Sequence, residues 1–367
     1  MPSLSGAPAL PIAALGCRTA GRVAHLHFGA LMLMLALALM LMLMLALALA
    51  ATGVAYAQPA ALQDTTRAPL GTPATTLLPA PRLAGYLQFR EVAQRGTGLS
   101  AFLNRVRFSI EGALPSRLSY RLVTEWQASA GSRAPATPSL REAVVRWSPA
   151  PFTFTAGEFK TPFTREYLIP VPALELADLA VAIDSLAPRY DVGVMAEYGY
   201  GATATLALGV FNGEGANSTA NRDSSVMWVG RATLRPLAQL SLGASATRDR
   251  GDTLRWGVDA SVQHRGAVVR AEYLTRHVRG RARGSDELGW YVFESARIMP
   301  RVQLLARQEE FQRPLFGSAR RVRALAWGAN YDIAPGHARL LVEFTRRMSG
   351  QSQSHTDALL AQIQAQF

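Results

Sequence analysis

The feature that most limits the folds open to this chain is a run of sixteen short segments, between Arg82 and Phe367, in which apolar and polar residues tend to alternate. They lie near residues 82-91, 101-113, 118-129, 139-147, 152-159, 190-198, 202-211 and 224-235. The other eight lie near 239-248, 253-264, 267-277, 287-298, 301-311, 320-333, 337-347 and 356-367. A period of two is the mark of a strand with one apolar face, and about ten residues is the length a tilted strand needs to cross a bilayer. The links carry the stronger information. After the even-numbered segments they are tight, as in Leu114 to Arg117, Ser148 to Pro151, Arg265-Gly266 and Ala334 to Gly336. After the odd-numbered ones they are longer, apart from Asp249 to Asp252. Short periplasmic turns alternating with long outer loops are the pattern of an antiparallel membrane barrel, and an even strand count puts both termini in the periplasm. A soluble sandwich would mix hairpins with Greek-key crossings, and none is evident. The expectation is an all-β fold: a transmembrane antiparallel β-barrel of about 16 strands spanning residues 82–367.

Alternation also assigns faces. In the second segment Val106, Phe108 and Ile110 oppose Arg105, Arg107, Ser109 and Glu111; in the thirteenth Val302, Leu304 and Ala306 oppose Arg301, Gln303, Arg307 and Glu309. An arginine facing lipid at mid-depth costs about 2–4 kcal/mol. The charged face therefore lines a wet lumen, whose expected wall is Arg105, Arg107, Arg121, Arg146, Arg231, Arg270, Arg307, Arg323 and Arg339, interleaved with Glu125, Glu142, Glu272, Glu309 and Glu343. Trp290 to Glu294 does not alternate cleanly, and its facing stays open. Trp126, Trp147, Tyr198, Trp228, Trp256 and Trp327 fit an interfacial girdle.

One link stands apart. Between Phe159 and Tyr190 lies a stretch of about thirty residues, and a connection that long needs a reason. In a wide barrel the wall alone does not set the pore radius, so the expectation is an inward-folded third outer loop that narrows the lumen. Its charged residues, with Lys160 at its start, are the candidate constriction: Lys160, Arg165, Glu166, Glu175, Asp178 and Asp184. From Thr161 to Pro188 Arg165 is the only base against four acids, a balance of −3. Selection at a constriction depends on the local ring of charge. The expected pore therefore prefers anions weakly and lacks a tight phosphate site.

The N-terminus reads as a targeting segment, residues 1–57. Arg18 and Arg22 form a basic region, an uncharged apolar run follows from Phe28 to Ala51, and Ala55-Tyr56-Ala57 is a small-x-small cleavage site. The run is also long enough to span a bilayer as a helix. A lipobox reading at Cys17 fails because the apolar run follows the cysteine instead of preceding it. Residues 58–81, rich in Pro, Thr and Ala, read as a flexible periplasmic lead-in. Removing the leader takes the net charge from +12 to +10 and removes the single cysteine, so disulfides and thiolate ligands are excluded. For an exported chain the basic balance points to anionic solutes or outer-membrane lipid and lipopolysaccharide, with no nucleic acid.

No catalytic pair is visible. His264, His277, His337 and His355 fall at segment ends or in loops and read as solvated residues. Asn212 to Asn217, with Asn221 and Asp223, lacks the pattern of a calcium loop and reads as turn chemistry. Arg276, Arg279, Arg281 and Arg283 cluster at an outer loop, either gripping lipopolysaccharide phosphates or simply solvated. No catalytic site, cofactor or metal is expected. The functional expectation is a diffusion channel for small anions, set against a structural or adhesive barrel without a conducting lumen.

Several stretches resemble the phosphate-selective porin O and P family, over nearly the whole of Leu83 to Phe367. They are Arg105 to Gly112, Gly157 to Glu166, Arg189 to Met195, Gly209 to Gly215 and Leu304 to Phe311. The resemblance implies a sixteen-stranded trimeric barrel in the outer membrane of a Gram-negative bacterium, a third loop folded into the pore, and anion passage over arginines. The closing Leu359 to Phe367, alternating and ending in Phe367, looks like the signal read by the barrel-insertion machinery. Two departures stand out: Asn104 occupies a position where the family carries a positive charge, and the loop is acidic.

Overall fold

Every one of the sixteen segments is a strand, and the first pairs with the last. The computed structural model describes residues 78–95, 98–128, 136–222, 224–249, 253–279, 286–315, 318–350 and 355–367. The targeting segment 1–57, most of the lead-in, Arg281 and Arg283 lie outside the described residues. In order the strands are β1 (Arg82–Gln94), β2 (Gly98–Leu114), β3 (Leu118–Gln127), β4 (Pro138–Trp147), β5 (Phe152–Lys160), β6 (Tyr190–Tyr200), β7 (Ala204–Phe211) and β8 (Met227–Leu237). They continue as β9 (Leu240–Asp249), β10 (Thr253–His264), β11 (Ala267–Val278), β12 (Glu287–Met299), β13 (Val302–Leu315), β14 (Ser318–Ala334), β15 (Ala338–Ser349) and β16 (His355–Gln366). Each bonds antiparallel to its sequence neighbours, and β1 with β16 closes the barrel. Closure leaves no exposed sheet edge. At the seam Gly85 N donates to Phe367 O at 2.9 Å and Phe367 N to Gly85 O at 3.0 Å. A side chain at position 85 would collide with the Phe367 ring, 2.8 Å from where its Cβ would stand.

Two strand pairs run further than their composition suggests. The link expected at 92–100 shrinks because Gln94 pairs with Gly98, and that expected at 312–319 shrinks because Leu315 pairs with Ser318. Polar and apolar residues alike continue the ladder at the long-loop end there. Among the described residues no helix is long and apolar enough to cross a membrane.

The faces follow the alternation. Leu87, Phe108, Ile110, Val194, Leu208, Trp228, Val258, Trp327 and Ile363 are exposed, while Gln88, Glu125, Arg231, Asp259, Arg270, Glu272, Arg307 and Glu343 are buried inside. β12 is settled by its burial pattern. Glu287, Tyr291, Phe293 and Ser295 are buried, so Glu294 belongs to the outward set with Trp290 and Val292. Two bulges bring extra polar side chains inward: the register steps past Asn104 between Arg105 and Leu103, and past Arg141 between Glu142 and Leu140.

Arg323 is a correction. It was expected on the lumen wall, yet β14 buries Ala324, Ala326 and Asn330 and exposes Trp327, Tyr331 and Ile333, whose parity Arg323 shares. Its Nε lies 2.8 Å from Glu310 Oε2, and Arg321 Nε lies 3.1 Å from Glu310 Oε1. These residues sit towards the long-loop end of an extended strand, and an acid lies directly opposite Arg323 in the ladder. The penalty for an arginine facing lipid applies at mid-depth and fades near the interface.

The inner wall is also less uniformly polar than expected. Leu274, Tyr291, Phe293, Leu305, Phe311, Leu341 and Leu360 are buried on it, in one cluster with Phe163, Ile183 and Leu186 from the long connection after β5. The hydrophobic core of this barrel lies inside it, where that connection packs on the wall.

Candidate functional site

The long connection, residues 161–189, contains two short helices, α1 (Arg165–Leu168) and α2 (Val181–Leu186), with one 3-10 turn over Val171–Ala173 between them. Thr164 starts α1, its Oγ1 accepting from Tyr167 N at 3.2 Å. Pro170 and Pro172 flank and occupy the 3-10 turn and keep the chain from continuing α1. α2 turns its apolar side, Ala182, Ile183 and Leu186, into the buried cluster. Gly289 leaves room for it, since a Cβ there would stand 2.5 Å from that of Ala182.

Loop backbone amides that have no partner in so short a helix are met by carboxylates of the wall. Glu272 accepts from Arg165 N at 2.8 Å and from Glu166 N at 2.5 Å. Glu309 accepts from Val181 N at 2.7 Å, and Glu343 from Ala177 N at 2.9 Å. Loop carbonyls are met by wall donors in turn. Arg339 donates to Pro172 O and Leu174 O at 2.8 and 2.9 Å, Asn330 to Glu175 O at 2.9 Å, and Gln364 to Pro172 O at 3.0 Å.

The candidate constriction residues fall into four groups. Glu166, Glu175 and Asp178 each meet a wall arginine: Arg307 at 3.3 Å, Arg270 at 2.9 Å and Arg90 at 3.0 Å. Arg165 pairs with Asp259 at 2.6 Å and also donates to Ser241. Lys160 is the last residue of β5, not part of the loop proper; its Nζ donates to Tyr167 O and Ile169 O at 2.5 and 3.2 Å and lies over the Tyr167 ring. Asp184 pairs with Arg189 at 2.5 Å where the loop rejoins the wall, and both are well exposed. Burial pushes the Glu166 carboxyl above its ordinary value, and Arg307 opposes that shift.

The wall arginines divide as well. Arg270, Arg307 and Arg339 serve the loop, and Arg231 pairs with Asp259 at 2.7 Å. On β2 to β4, Arg107 and Arg141 share Glu125, at 2.5 and 2.8 Å, while Arg121 lies 3.5 Å from Glu142. Arg105 and Arg146 share this stretch of wall, and no acid lies within 4 Å of either among the described residues. Asn104 fills its bulge by donating to Gln88 at 3.0 Å.

Arg90, Arg141 and Asp259 were missed by the sequence reading. Arg90 shares the parity of Gln88 in β1 and was visible in principle; Arg141 was hidden by the bulge. The glycine-rich stretch after β7 behaves as turn chemistry: Gly213 and Gly215 have positive φ, and their amides face Asp191 at 2.8 and 3.4 Å. No group of residues suited to hold a metal occurs among the described residues.

Residues 84–249 match the family model described as phosphate-selective porin O and P. The match spans β1 to β9, and the likeness to that family rests on it. The chain is also similar in structure to an anion-selective porin from Comamonas acidovorans, with TM-score 0.60 and 11% identity over 78% of this chain and 99% of that one. A trimer form of OmpT from Vibrio cholerae gives TM-score 0.57 and 11% identity, covering 78% and 99%. The channel DcaP of Acinetobacter baumannii gives 0.58 and 13%, covering 78% and 97%. No curated protein matches the chain. Family and fold point to a channel rather than an enzyme.

Proposed function

We propose that the protein is a water-filled channel for passive diffusion of small anions across the outer membrane of a Gram-negative bacterium, with the loop after β5 as its constriction. The observation that carries this is how the loop is held. Its hydrogen bonds and ion pairs reach β1, β9 to β11 and β13 to β16, across the interior from its roots on β5 and β6. On this reading the open passage runs between the loop and the β2 to β4 wall, past Arg105, Arg107, Arg121, Arg141 and Arg146.

The loop's four acids are already matched one to one by Arg307, Arg270, Arg90 and Arg189, so they neither repel nor attract a passing ion strongly. Three acids against five arginines remain on the facing wall: Glu111, Glu125 and Glu142. A modest anion preference follows, because selection responds to the ring of charge at the narrowest level. The pairing of Arg107 and Arg121 with acids argues against a tight phosphate site. The long loops are placed on the extracellular side, assembly is as a homotrimer, as one form of OmpT is described, and the Phe367-ended strand is read by the insertion machinery.

The test is a planar-bilayer recording of the purified protein in a chloride gradient. Discrete conductance with a reversal potential on the anion side, and no block by low phosphate, is expected. A silent protein would favour the structural barrel, and strong phosphate block would mean that the β2 to β4 arginines converge on one ion.

A further inference from the structure

The outer face from β4 to β10 carries a groove of about 780 Å³. Its floor is made of small residues, Ala156, Ala196 and Ala246, and Leu208 stands at its side. Gly230 is part of the same floor, where a Cβ would come within 3.3 Å of Leu208. Small residues on a barrel wall let an apolar chain lie close to the backbone.

The groove is not apolar throughout. Arg248 lines it at the long-loop end, one residue before β9 ends, and is the cross-strand partner of Trp228. Two other arginines on the outer face near that end are paired, Arg346 with Asp357 at 2.8 Å and Arg323 with Glu310 at 2.8 Å. Arg248 has no acidic partner among the described residues. A cation beside an interfacial tryptophan, above an apolar channel, matches an amphiphile with an anionic head at the outer surface and a hydrocarbon tail below it. Guanidinium binds phosphate through a rigid fork of donors, and the match holds best where water is partly excluded.

We propose that this groove holds an acyl chain of lipopolysaccharide, with a lipid A phosphate on Arg248. The inference rests on the outer-membrane placement given above. It predicts a lipid that stays with this face while the rest of the annulus exchanges.

The test uses the full chain in vesicles of phosphatidylcholine with brominated chains, which quench tryptophans they touch. The difference between the wild type and Trp228→Phe isolates the Trp228 signal. Added lipid A should relieve that quenching by displacing brominated chains. Arg248→Gln should require about fivefold more lipid A, the preference that roughly one basic side chain near a charged membrane surface confers. Lipid A stripped of its phosphates should act on the wild type as lipid A acts on the variant. Equal relief in wild type and variant, or equal relief by both lipids, overturns the proposal. So does a Trp228 that the brominated host never quenches, since a second copy of the chain would then cover the groove. Conductance of the same preparations separates the two ideas: a conducting channel with no Arg248 effect sinks the lipid site alone, and a silent one sinks the porin reading.

Discussion

The two sides of the inner wall hold their arginines in opposite ways. On β1, β11 and β13 the partners are acids of the loop, so Arg90, Arg270 and Arg307 serve to fasten a segment that left the wall at β5. On β2 to β4 the partners are acids of the wall itself, too few for the arginines present. A count of inward arginines therefore overstates the field a solute meets: part of it is spent on architecture.

The largest effect should come from removing what the first side holds. Deleting part of residues 170–182, with the barrel still assembling, should raise single-channel conductance well above that of any point variant; an unchanged value would place the loop outside the lumen. Next, Arg307→Leu strips Glu166 and Glu309 of a buried partner, a loss of about 3–5 kcal/mol for such a pair. The expected recording shows flickering and larger openings with little change in selectivity, and a quiet trace of normal size would break the fastening argument.

The second side should respond in selectivity instead. Arg105→Glu should move the reversal potential towards cations, and Glu125→Gln, which frees Arg107 and Arg141, should move it further towards anions. If both leave it unmoved, the passage does not run along β2 to β4. A smaller effect is expected from pH. Because burial raises the Glu166 carboxyl, it takes up its proton at a higher pH than an exposed carboxylate. Its neutral form leaves Arg307 less compensated, so anion preference should grow as pH falls from neutral, and Glu166→Gln should flatten that rise. The smallest is Arg323→Gln, which faces outward and should leave conductance and reversal potential as they are.

Much of this architecture was legible in the sequence. Strand positions and the length of the third loop survive, because a membrane imposes both a fixed span and a strict period of two; the alternation of turn lengths fails after β1 and β13, where the ladder runs on into the expected loops. The outward facing of Arg323 is legible in its parity with Trp327 and Tyr331, and the lipid cost that favours the lumen fades at its depth. Tyr291, Phe293, Leu305 and Phe311 were not legible as inner-wall residues, since an apolar side chain there makes sense only once the loop is known to cover it. Nor were the loop's partners. Asp178 and Arg90 are 88 residues apart, and nothing local marks them as neighbours.

That separation has a consequence for how the chain can change over generations. Glu166 and Arg307 lie 141 residues apart, and Arg270 and Glu175 lie 95 apart. A drift in the charge of the loop at any of these points leaves a lone ion in a tight space until a second change arrives on a distant strand. The loop after β5 is thus slow to diverge on its own, whereas β2 to β4, whose arginines draw on acids of the neighbouring strand, can be retuned by single local steps.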